Sequence, residues 1–192
     1  MTVAEFLRSL NVFDLLVVLV MFAFFIVGFI QGTIRRLLGI ASILFSFLLA
    51  ANLRDPLGGF FAANWTQFER EYSYMIAFGA VFAVAVLGFS LTIQTFYTKV
   101  ELFEKYPVVD EVLGGLLGVV QGMLILGSAI VILDSFFLLG LPGRPMELPY
   151  LRDLHDAIDR SGTALLFRES LLPAFLAVFG PLLPDVVRDL YD

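Results

Sequence analysis

The stretch VLGGLLGVVQGMLILGSAIVIL, Val112–Leu133, runs for 22 residues with only Gln121 and Ser128 as polar interruptions. A helix rises about 1.5 Å per residue and the hydrocarbon core of a bilayer is about 30 Å thick, so about 20 apolar residues span it. Tyr74–Ile93, 20 residues with Ser90 and Thr92 as its polar members, meets the same length. Leu15–Ile30 (16 residues) and Leu37–Ala51 (15 residues, with Ser42 and Ser46) are shorter and need flanking residues to cross. The composition agrees with these runs. Of 192 residues, 59% are hydrophobic and 16% charged, against about 45–50% and about 25% in an ordinary soluble domain. A soluble fold of this size cannot cover so much apolar surface. The expectation is an all-α integral membrane protein with four transmembrane helices.

The first two runs cannot form one continuous helix across a bilayer, because Arg35 and Arg36 would lie at its middle. Charges there cost at least about 2.5–3.5 kcal/mol each. A tight turn at Gly32–Thr33 resolves this. Glycine takes a positive φ at a helix C-terminus, threonine caps the next helix, and both arginines snorkel to headgroups. The reading is a short helical hairpin, with a re-entrant or broken helix as its rival. The first run is too long for a signal-peptide core, follows Glu5 and Arg8, and has no small-residue cleavage site close behind, so it reads as an uncleaved anchor. Residues 52–73, with Pro56, Gly58, Gly59, Trp65 and Tyr72, read as an interfacial connection. Asp110 reads as the N-cap of the fourth helix.

Pro142, Gly143, Pro145 and Pro149 mark a change of character, which divides the chain into a four-helix membrane domain, 1–141, and an amphipathic surface region, 142–192. Leu151, Leu154 and Ile158 fall on one face of a short helix, opposite Arg152, Asp153, Asp156, Asp159 and Arg160. Leu171–Leu183 is apolar but only 13 residues long and holds Pro173, Gly180 and Pro181. It reads as an interfacial segment against the membrane or the bundle. Orientation is not set by charge: Arg8, Arg54, Arg70 and Arg144 oppose Arg35, Arg36, Lys99 and Lys105.

Two segments share a G-x-x-Q-G pattern: Gly28-Phe29-Ile30-Gln31-Gly32 and Gly118-Val119-Val120-Gln121-Gly122. Gly114, Gly118 and Gly122 line one helical face, and small residues at this spacing let membrane helices approach closely. The faces therefore serve tight packing, or line a polar path between two repeats as in transporters. Gln31 and Gln121 need partners in lipid. Asp134 follows 22 largely apolar residues and marks either the water boundary or a functional intramembrane carboxylate. Asp14 reads as a boundary residue at a helix start. His155, the single histidine, lies among Asp153, Asp156 and Asp159, which read as a solvated acidic face rather than a metal site. The chain has no cysteine, and no phosphate loop, H-E-x-x-H pair or G-x-S-x-G elbow is visible. The expectations are no catalytic residues, no metal and no cofactor. A net charge of −6 argues against a nucleic-acid partner.

Asp14-Leu15-Leu16 before an apolar helix, followed by Gly28-x-x-x-Gly32-Thr33-Ile34-Arg35, resembles the first signature of the colicin V production protein (CvpA) family. Asp110-x-x-Leu113-Gly114-x-x-x-Gly118-x-x-x-Gly122 resembles the second, continued by Ile132-Leu133-Asp134-Ser135-Phe136. Glu169-Ser170-Leu171-Leu172-Pro173 resembles the family's Ser-x-Leu-x-Pro element. The chain departs from that pattern where the family commonly has a basic residue, at Gln31 and Gln121. It departs again at Arg36, where an acid is common, and at Glu111, where arginine is frequent. The resemblance implies a multi-pass protein of the bacterial cytoplasmic (inner) membrane, linked to colicin V production or export, with no established reaction. The expected role is non-enzymatic: a membrane scaffold or assembly factor supporting toxin or peptide production. Its glycine faces would join a homo-oligomer or other membrane proteins within the lipid bilayer. The alternative is a channel or transporter subunit whose path is lined by Gln31, Gln121 and Asp134.

Overall fold

The computed structural model describes residues 11–65, 70–97, 107–137 and 149–188, and among them every regular element is helical. Helix α1, Val12–Gln31, follows Asn11, whose backbone N–H donates to the Asp14 carboxylate at 3.2 Å. It stops because Gly32 adopts φ 77°, a conformation only glycine enters without strain. The Gly32 N–H still closes the last turn on the Gly28 carbonyl at 3.0 Å, and α2 starts at Thr33. The chain thus breaks at the expected residue, but α1 and α2 then diverge. α1 lies along α4 (Pro107–Phe137) and α2 along α3 (Arg70–Phe96), so the first two helices meet little beyond their turn.

Two boundaries differ from expectation. Helix α2 runs from Thr33 to Asn64 and contains Pro56, so most of the expected connection 52–73 is helical. Packing outweighs the breaker signal here: Gly58 sits so close to Tyr74 that a Cβ would lie 2.5 Å from its ring, and the Arg54 guanidinium stands 5.3 Å above that ring. Asp110 is not an N-cap. Pro107 takes the helix start, a place that suits its missing N–H, and Asp110 falls inside the first turn.

Beyond α5 (Pro149–Asp159) the chain forms α6 (Gly162–Leu166), a π turn (Phe167–Leu171), α7 (Leu172–Phe179), a 3-10 turn (Gly180–Leu182) and the short α8 (Asp185–Arg188). Gly162–Leu182, 21 residues, is long and apolar enough to cross a membrane, which makes five such segments rather than four. The sequence reading stopped short because Pro173 and the polar Arg168-Glu169-Ser170 looked like ends. The π turn absorbs both: the Leu172 N–H reaches back to the Phe167 carbonyl, and Pro173 enters the first turn of α7, where its N–H is not needed.

The core joins Ile43, Phe47 and Ala50 of α2 to Phe78 and Phe82 of α3, Val131 of α4, and Leu172 and Leu183. Phe47 is its hub, with ring centroids 5.6 Å from Phe78 and 5.5 Å from Phe175. The segment read as lying on the membrane or the bundle therefore belongs to the bundle. Outward, Leu19 is 68% exposed, Val84 70% and Phe96 81%. Such an apolar girdle suits hydrocarbon and not water, and the molecule is a multi-pass membrane protein. Arg8, Lys99, Lys105, Arg144, Pro142, Gly143 and Pro145, on which the charge comparison and the domain division partly rest, lie outside the described residues.

Candidate functional site

The glycines bring α1 and α4 into contact within one chain. A Cβ on Gly114 would lie 2.5 Å from the Gly28 carbonyl oxygen, and one on Gly118 would overlap the Phe24 carbonyl. Gly122 meets Met21 and Phe24, and Gly115 meets the Phe25 ring. Backbone is thus packed on backbone, as small residues in membrane helices allow. Beneath the turn, a Cβ on Gly32 would lie 2.5 Å from the Asp110 carboxylate, while the Thr33 hydroxyl donates to the Asp110 carbonyl at 3.0 Å. An acid at the start of α2 complements the helix dipole there. The two G-x-x-Q-G segments therefore share one seam.

Beside the seam, the divergence of α1 and α2 leaves a cavity of about 500 Å³ bounded by α1, α2, α3 and α4. Its polar wall consists of Gln31, Arg35, Arg36, Ser42, Ser90, Gln94 and Gln121, and both glutamines reach it. Arg36 is 4% exposed. Its Nη1 donates to the Gln121 side-chain oxygen at 2.6 Å, whereas its Nε and Nη2 have no hydrogen-bond partner among the described residues. Gly39 makes room for this pair, since a Cβ there would lie 2.8 Å from the Gln121 amide nitrogen. Arg36 therefore does not snorkel to headgroups as expected. At the end of α2 nearer the turn it points inward, on the same face as Gly39 and Ile43. Arg36 and Gln121, two positions where the chain departs from the resembled pattern, touch each other.

Asp134 belongs to a different cluster. It is 1% exposed and accepts from Arg168 Nε at 3.0 Å and Nη2 at 2.7 Å. Arg168 Nη1 also donates to Asp159, and His155 Nε2 stands 3.5 Å from the Asp134 carboxylate. Asp134 is thus an acid paired within the chain and not part of the glutamine cavity, from which about 20 Å of helix separate it. His155 faces this cluster instead of solvent. Asp14, 5% exposed, accepts from the Thr163 N–H at 3.0 Å and the Thr163 hydroxyl at 2.7 Å, joining α1 to the start of α6. No group of His, Asp and Glu suited to a metal ion occurs among the described residues.

Sequence reasoning named Gln31, Arg35 and Gln121 of the cavity wall. It missed the inward turn of Arg36 and the part played by Gly39, Ser42, Ser90 and Gln94. The available signal was the i, i+3, i+7 spacing of Arg36, Gly39 and Ile43, which puts the charge on the same stripe as core residues.

No curated protein and no solved structure matches the chain. The family model described as colicin V production protein matches residues 13–149. That match takes in the glycine seam, the cavity wall and Asp134, and on this evidence the chain belongs to the colicin V production protein family.

Proposed function

We propose that the protein is a non-enzymatic passage or uptake component for a small polar solute in the bacterial cytoplasmic membrane, and that it supports toxin or peptide production in this way. One observation carries the reading: a half-open cavity of about 500 Å³ between the helices, with both glutamines and two arginines on its wall. Irregular polar lining at membrane depth is tolerated where it faces protein or water, and such linings mark solute paths. The scaffold reading relied on glycine faces free to recruit another helix. Here Gly28, Gly114 and Gly118 are taken up by the chain's own α1–α4 contact, so assembly with other copies would use other surfaces.

The test is flux in proteoliposomes, using inorganic ions and small organic acids, amines and sugars as separate cargoes. Wild-type protein is expected to carry at least one of them, and Gln121→Leu to reduce that rate at least tenfold while inserting normally. Absence of flux for every cargo, with the protein folded and inserted, overturns the reading.

A further inference from the structure

We propose that the cavity binds a dianionic phosphate group, held by the Nε–Nη2 edge of Arg36 with Arg35 supplying the second positive charge. The proposal rests on the reading of the cavity as a solute site and names the chemistry of its occupant.

The argument begins with an electrostatic imbalance. Arg36 is 4% exposed and lines the cavity, its Nε and Nη2 are covered by the surrounding protein, and among the described residues its one hydrogen bond is to a neutral amide. Arg35 lies on the same cavity wall, and no carboxylate does among the described residues. Asp110, at the same end of the bundle, faces Gly32 and makes no ion pair with Arg36. Both arginines occupy the first turn of α2, where the helix dipole is positive and disfavours cations. A buried charge in this position costs several kcal/mol unless something negative meets it.

The geometry of the unmet donors narrows the choice. Nε and Nη2 share one edge of the planar guanidinium, and an N–H bond of each points outward from that edge in parallel. This fork matches two oxygens of a carboxylate or phosphate. The molecule itself uses that edge elsewhere: Arg168 holds Asp134 through Nε and Nη2. Charge then separates the candidates. A carboxylate neutralises one arginine and leaves the other unmatched, whereas a phosphate monoester or inorganic phosphate carries close to two negative charges. Its further oxygens accept hydrogen bonds, and the hydroxyl of Ser90 and the amides of Gln94 and Gln121 on the same wall are donors.

A phosphate of this kind arrives either free in water or as the monoester headgroup of a lipid such as phosphatidic acid. The full chain is placed in phosphatidylcholine nanodiscs and titrated calorimetrically with inorganic phosphate. In parallel, discs containing phosphatidic acid are scored by mass spectrometry for retention of that lipid on the purified protein. Saturable phosphate binding identifies the free anion, and selective retention identifies the headgroup. Either result supports the proposal if Arg36→Met weakens it at least about tenfold and Arg36→Lys, which keeps the charge but loses the fork, weakens it as well. Circular dichroism of each variant confirms the helical fold. Neither ligand binding, or binding that Arg36→Met leaves unchanged, overturns it, as does acetate competing as well as phosphate. Because these readouts are equilibrium binding, phosphate bound without flux defeats the passage reading alone. Flux indifferent to phosphate and to Arg36 defeats the phosphate proposal alone.

Discussion

Arg168 and Arg36 are the same side chain put to opposite uses. Near one end of α4, Arg168 places its Nε and Nη2 on Asp134, a carboxylate 1% exposed, and its remaining nitrogen on Asp159. Near the start of α2, Arg36 is more deeply buried than Arg168, yet its Nε and Nη2 meet no acceptor among the described residues. The difference lies in what the chain supplies opposite the guanidinium. Where it supplies an acid, arginine fastens the last apolar segment to α4. Where it supplies only a neutral amide, the strongest recognition edge of the arginine stays unmatched among the described residues.

The comparison is broken most forcefully by removing the fastened arginine. Arg168→Met strands the Asp134 carboxylate away from water and is expected to destabilise the detergent-solubilised protein by about 3–5 kcal/mol. The double variant Asp134→Leu/Arg168→Met should recover most of that loss, because matched apolar groups replace a pair. Thermal unfolding of the two variants side by side checks both statements, and equal losses would show that the pair is not the source of the effect. A smaller effect is expected between the two ends, along the α1–α4 seam. Gly118→Leu drives a side chain into the Phe24 carbonyl and should cost about 1–3 kcal/mol through overpacking. Limited proteolysis should show α1 released while the Asp134–Arg168 end stays protected. The smallest effect belongs to Arg36→Met in phosphate-free detergent. With no acid left unmatched, stability should stay within about 1 kcal/mol of wild type or rise. A loss as large as that of Arg168→Met would erase the contrast between the two sites.

Much of this architecture was legible in the sequence wherever local chemistry decides it. Gly32 had to be the break, since two arginines three and four positions later forbid a continuous span, and glycine alone accepts φ 77° without strain. The glycine spacing of α4 announced close approach, and its partner was the segment that repeats its pattern. What escaped depended on distant contacts. Pro56 looked like an end because the aromatic ring of Tyr74 that holds the helix together comes 18 positions later. The partner of Asp134 was not visible because its cation is 34 residues away. Gly162–Leu182 looked too short because a π turn carrying polar residues is indistinguishable, in one dimension, from a loop. Arg36 looked like a snorkelling residue because either outcome fits its neighbours, and only the room left by Gly39 for the Gln121 amide turns it inward.

The tie between Asp14 and Thr163 has a consequence for biogenesis. The first span is synthesised about 150 residues before Thr163, whose N–H and hydroxyl donate to its carboxylate, so until then that carboxylate has only the neighbouring Asn11 N–H as a native donor. Only when the polypeptide has been synthesised past Thr163 does α1 become fully tethered. A chain that ends before Thr163 therefore keeps its first span without this closing tie.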